Sequence, residues 1–115
     1  FPAWSTPDDQ AVYAEAFEAG GWTGPLNRYR AQGLDAEQLG SLTDPPPELA
    51  QPAAFIGGAL DPVRNFVTGV DLFSMADQHC TDFRGATVVD GAGHWVQQEA
   101  PEATNAALDE FVASL

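Results

Sequence analysis

The sequence has no lysine, a single cysteine and no long apolar run, and each shortage closes off a class of function. Cys80 alone can form no internal disulfide and no thiolate metal cage, and it reads as a small, partly buried apolar residue. Four arginines against 17 acidic residues give a formal net charge of −13. Such a surface repels phosphate backbones, so no nucleic-acid partner is expected. No stretch approaches the roughly 18 apolar residues that cross a bilayer, so no membrane span is expected. Phe1-Pro2-Ala3-Trp4 has neither a basic nor an apolar leader region, so no secretory signal is expected in this chain and the location read is cytoplasmic. Neither His79 nor His94 has a partner at metal-ligand spacing; no metal and no cofactor are expected. There is no Gly-x-Asp-x-Gly or Gly-x-Ser-x-Gly turn either, so the nucleophile that such an elbow carries is not among these 115 residues.

What remains is a chain 44% hydrophobic, ordinary for a folded domain. Thr6-Pro7-Asp8-Asp9 reads as a helix start, with Thr6 as N-cap, Pro7 in the first turn and acids at the positive dipole end. Val12, Tyr13, Ala16 and Phe17 follow at helical spacing, and Gly20-Gly21 stops the helix. A second helix opens at Gly24-Pro25 and runs through Leu26, Tyr29 and Arg30 to Gly33. Residues 34–52 are weakly patterned. Within them Thr43-Asp44-Pro45-Pro46-Pro47 can neither continue a helix nor enter a sheet, which makes residues 44–51 a connector.

Beyond the connector the pattern changes. Residues 52–58 form a short apolar run without polar alternation, as a strand covered on both faces shows. Val70 to His79 offers a helix with Val70, Phe73 and Ala76 on one side, and Ala86 to Asp90 a second strand. A closing helix from Pro101 carries Leu108, Phe111, Val112 and Leu115 as one apolar stripe. Strand, crossover helix, strand, helix is a βαβα unit of a parallel sheet. Two strands do not make an independently stable sheet, so the fold class expected is α/β, as the incomplete tail of something larger.

Two polar residues follow the two strands. Asp61 comes after Gly57-Gly58-Ala59-Leu60, and His94 after Gly91-Ala92-Gly93. In an open parallel sheet, ligands collect at the carboxyl ends of strands. If the strands are neighbours, Asp61 can reach His94, fix its tautomer and raise the basicity of its second nitrogen. Taken singly, Asp before Pro is a common turn former, and a histidine in a glycine loop is commonly a packing residue. His79, late in the crossover, reads as a surface or packing residue.

The run Gly91-Ala92-Gly93-His94-Trp95-Val96-Gln97-Gln98-Glu99, with Pro101 and Asn105, resembles the catalytic-histidine segment of α/β-hydrolase-fold epoxide hydrolases. Gly21-Trp22-Thr23-Gly24-Pro25-Leu26-Asn27-Arg28-Tyr29-Arg30 resembles the lid segment of that family, and Gly57 to Val63 its acid loop. The resemblance implies an epoxide hydrolase that forms a 1,2-diol through an aspartyl alkyl-ester intermediate. It implies His94 as base, Asp61 as its orienting acid and Tyr29 as one of two lid tyrosines, with Trp95 and Leu26 near the substrate pocket.

It further implies residues 1–43 as the end of a helical lid and 52–115 as the last part of the hydrolase core. The nucleophilic aspartate, the oxyanion loop and the second lid tyrosine would then belong to an N-terminal portion of the same enzyme, acting on a small hydrophobic epoxide and water. This chain alone is expected to be inactive. A haloalkane dehalogenase, another α/β-hydrolase, or a non-catalytic binding or regulatory fragment are the alternatives. Arg28 and Arg30 either hold the lid through acidic neighbours or are ordinary solvated arginines.

Overall fold

The computed structural model describes residues 2–42 and 48–115. The proline connector Thr43 to Pro47 lies outside the described residues. The chain divides into two compact units, Phe1–Pro46 and Pro47–Leu115.

The first unit is helical. Helix α1 spans Pro7–Gly20 and starts as expected: Thr6 accepts from the Asp9 N–H while the Asp9 side chain takes the Thr6 N–H, a reciprocal capping box. Gly21 ends it at φ 72°, in the left-handed region that favours glycine. Helix α2 spans Thr23–Arg30, and the Phe17 and Trp22 rings stack at 4.2 Å across the turn between the two. The weakly patterned stretch that follows is a third helix, α3, over Gln32–Leu42. It escapes a periodicity search because Leu34 and Leu39, five residues apart, are both exposed and define no buried stripe. Arg28 of α2 reaches Asp35 of α3 at 2.9 Å, and Arg30 donates to Asn27 Oδ1 at 3.2 Å. Both partners of the Arg28–Asp35 pair are solvent-exposed, so the bond adds little to stability.

The second unit holds a two-stranded parallel sheet, β1 over Ala53–Gly58 and β2 over Phe83–Val89. The first strand falls where the apolar run predicts; the second starts three residues earlier than its pattern suggests. Between the pairs Ala53↔Phe83 and Phe55↔Ala86, β2 carries one extra residue, and Gly85 absorbs it at φ 128°. The register then runs evenly to Gly57↔Val88 and Gly58↔Val89. Both strands therefore end side by side.

The crossover differs from expectation. In place of an α-helix over Val70–His79 there is one short 3₁₀ turn, Leu72–Met75, with a second, Pro62–Asn65, earlier in the crossover. Val70, Phe73 and Ala76 are three apart, which is the 3₁₀ period rather than 3.6. Asp71 also diverts the backbone: its Oδ1 accepts from the Phe73 N–H, and its carbonyl accepts from Ser74. The same carboxylate receives Arg64 through Nε at 3.0 Å and Nη2 at 2.7 Å, pinning the two turns together. Phe73 packs on Phe55 of β1 at 4.7 Å.

After β2 come a one-turn helix, α4, over Val96–Glu99, and α5 over Pro101–Ala113. Ala92 and Val96 are the buried apolar residues here, and buried Thr104 donates to the Val96 and Ala100 carbonyls. The apolar stripe of α5 is only partly covered: Phe111 is half-buried, whereas Leu108, Val112 and Leu115 are exposed. Phe66 is 82% exposed. So few covering elements cannot close layers over a two-stranded sheet.

Candidate active site

The carboxyl ends of β1 and β2 carry the two loops that hold Asp61 and His94. Three contacts fasten those loops to one another. The Ala59 N–H donates to the Val89 carbonyl at 2.9 Å, and the Leu60 N–H to the Ala92 carbonyl at 2.8 Å. Gly58 has no side chain, and the backbone of Ala92 and Gly93 occupies the space where a Cβ would stand.

Asp61 is buried, with its carboxylate divided between two tasks. Oδ1 accepts from the Val63 N–H at 2.8 Å and caps the first 3₁₀ turn. Oδ2 meets His94 Nδ1 at 2.9 Å. The turn-forming role ordinary for Asp before Pro and the histidine contact are thus both present, one on each oxygen. Burial opposes the Asp61 charge, but hydrogen bonds from His94 and the Val63 N–H, with the attraction of the imidazolium, hold its carboxyl below the ordinary range.

The pair is asymmetric, with the His94 side chain 53% exposed and that of Asp61 10%. A carboxylate that takes the Nδ1 proton leaves Nε2 as the lone-pair nitrogen, the tautomer a general base needs. Trp95 lies edge-on to the His94 ring, centroids 5.2 Å apart and planes at 76°. The structure therefore brings together Asp61, His94 and Trp95. Tyr29 and Leu26 are exposed residues of α2, in the other unit. His79 is exposed, as expected, and its carbonyl accepts from the Leu49 N–H.

One residue of this region carries no role in the sequence reading. Glu99 sends Oε2 to the Gly93 N–H at 2.7 Å and Oε1 to the Trp95 N–H at 3.0 Å, one on each side of His94. The signal in the sequence was a carboxylate four residues after Trp95, close to the spacing at which a helix N-cap N–H is bound from within its own first turn. Among the described residues, no group of three or more His, Cys, Asp or Glu could hold a metal ion, and no helix is long and apolar enough to cross a membrane.

A parallel strand pair bearing an acid and a histidine on adjoining carboxyl-end loops is the last part of an α/β-hydrolase fold, incomplete in its sheet. Known proteins narrow the class. No protein-family model matches the chain. It is 37% identical over 114 residues to epoxide hydrolase B of Mycobacterium tuberculosis, an alignment that takes in 99% of this chain and 31% of that protein. Among solved structures, an epoxide hydrolase from an endophytic Streptomyces superposes with a TM-score of 0.84 at 37% identity, covering 98% of this chain and 33% of that one. Epoxide hydrolase A from Mycobacterium thermoresistibile gives 0.80 at 36% identity, with 98% and 34% covered. The chain thus spans about a third of the length of the relatives it matches, and it corresponds to the C-terminal portion of α/β-hydrolase-fold epoxide hydrolases.

Proposed function

We propose that the protein to which this chain belongs hydrolyses a small hydrophobic epoxide to a 1,2-diol, with His94 and Asp61 activating the water. The observation that carries the reading is the 2.9 Å contact between a buried, ionised Asp61 and a solvent-accessible His94 at adjoining strand ends. The epoxide hydrolase names of the relatives support the substrate class.

The reaction would proceed in two steps. An aspartate of the N-terminal portion, in the part of the enzyme that this chain does not span, attacks an epoxide carbon. The C–O bond breaks, its electron pair stays on the ring oxygen, and lid phenols stabilise that alkoxide. Tyr29 would be one of the two phenols, since a phenol donates a strong hydrogen bond while staying protonated at neutral pH. His94 Nε2 then removes a proton from water as the water oxygen attacks the ester carbonyl. The tetrahedral intermediate collapses, the leaving oxygen takes the proton that His94 returns, the second water proton passes from the carboxyl to the ring-derived alkoxide, and the diol departs from a regenerated aspartate.

In this reading residues 1–43 are the end of the lid, 44–51 its connector and 52–115 part of the core. Trp95 shields the base and, with Leu26, borders the pocket. Water and side chains supply all the chemistry.

Oxygen labelling tests the ester route. In a single turnover of the full protein in H₂¹⁸O, the diol should carry no label, because its new oxygen comes from the aspartate. A labelled diol in that first turnover points to direct water attack, and no diol at all rules out the epoxide.

A further inference from the structure

Glu99 touches no reacting atom in the proposed mechanism, yet it binds the backbone N–H groups of the two residues that flank His94. Oε2 takes the Gly93 N–H at 2.7 Å and Oε1 the Trp95 N–H at 3.0 Å. Capping of α4 explains only the second bond, because Trp95 is the N-cap of that turn. The first reaches past His94 to its far side, outside the helix. Hydrogen bonds to an ionised carboxylate are shorter and about twice as strong as neutral ones, and two from one group also fix direction.

The base of this clamp is itself held. The Glu99 N–H donates to the Trp95 carbonyl at 2.9 Å, Val96 is buried, and Thr104 of α5 bonds the Val96 and Ala100 carbonyls at 3.2 and 2.9 Å. On its open side the fit is close: a Cβ on Gly93 would stand 3.1 and 3.2 Å from the two Glu99 oxygens. Asp61 holds the imidazole through Nδ1; Glu99 holds the backbone from which that imidazole hangs.

We propose that Glu99 is a positioning residue for the proposed base: its carboxylate ties the Ala92–Gly93 and His94–Trp95 peptide planes together around His94 and so aims Nε2 at the ester. This rests on the reading of His94 as the water-activating base.

The test is rapid-quench mass spectrometry of the full protein with styrene oxide, separating ester formation from ester decay in Glu99→Gln, Glu99→Asp and His94→Gln. Glu99→Gln keeps the shape but places an NH₂ against one of the two N–H groups. The expected result is ester formation at the parent rate and decay slowed about 100-fold, the scale of a misaimed catalytic group. If Glu99→Gln fails to fold, the same split is required of Glu99→Asp, whose carboxylate is too short to span both N–H groups. Decay at the parent rate, or both steps slowed in proportion, overturns the positioning role. If His94→Gln stalls the ester while the Glu99 variants do not, only this inference fails. If His94→Gln turns the ester over normally, the base assignment fails and takes this inference with it.

Discussion

Gly58 at the end of β1 and Gly93 in the histidine loop are in backbone contact, and a Cβ built on Gly58 would overlap the carbonyl oxygens of both Gly93 and Ala92. Neither backbone can yield cheaply, because the Ala92 carbonyl also accepts from the Leu60 N–H, next to Asp61. Gly58→Ala should therefore push the His94 loop away from the Asp61 loop. Overpacking of a buried site costs about 1–3 kcal/mol. Denaturant unfolding of the full protein should report a loss on that scale, together with slower ester decay; parent stability and rates would show that the loops tolerate the methyl.

Asp61→Asn removes the charge that orients and stabilises the imidazole while leaving an oxygen for the Val63 N–H. In a serine protease the equivalent change costs roughly 10⁴-fold, and the ester-decay step should fall by up to about that factor. Because the folded Asp61 carboxyl lies below its ordinary value, it stays ionised through neutral and mildly acidic pH. Its contribution to stability is fully present above about pH 4 and is lost as pH falls through the depressed value. Any loss of ester decay between about pH 5 and 7 must come from another group. A stability gap between the parent and Asp61→Asn that closes between about pH 5 and 7, rather than below about pH 4, would contradict this.

Asp71 stands within the stretch that the sequence predicts as a crossover helix, and Arg64, from before that stretch, holds it. The guanidinium bond first of all holds the Asp71 carboxyl below its ordinary value; desolvation opposes it, and the Phe73 and Ser74 N–H bonds and the Arg64 charge add to the lowering. Asp71→Asn should lower the melting temperature at neutral pH, and the gap to the parent should shrink as pH falls below about 4, where the parent's own carboxylate protonates. Thermal melts at the two pH values check this. A gap that is constant or grows on acidification goes against it.

Tyr29→Phe in the full protein should slow ring opening about 10²–10³-fold, the cost of losing one donor to a developing oxyanion, without a change in melting temperature, because Tyr29 is exposed on α2. An unchanged single-turnover alkylation rate removes Tyr29 from the reaction.

Much of this molecule was legible from local sequence. The N-cap at Thr6, the glycine stop at Gly21, β1 and the start of α5 at Pro101 are each set by near neighbours, and the structure has them where the pattern put them. The Asp61–His94 pair was legible for a different reason: if the two parallel strands are neighbours, their carboxyl-end loops emerge at the same edge. Three features were not. Over its residues 32–40, helix α3 has no buried face to write a period into the sequence. The crossover reads as α-helix because positions 70, 73 and 76 suit one face of either helix, and the deciding partner of Asp71 is Arg64, seven residues away. Glu99 stood inside the histidine motif without a role, since its work is on two backbone N–H groups, which no residue type announces.

The most direct measurement of the central claim is the intact mass of the His94→Gln full protein incubated with styrene oxide. With the proposed base removed and the ring-opening groups intact, the account predicts that the protein gains the mass of one epoxide and keeps it for hours. Steady turnover to diol with no retained adduct would contradict the assignment of His94 as the residue that activates water.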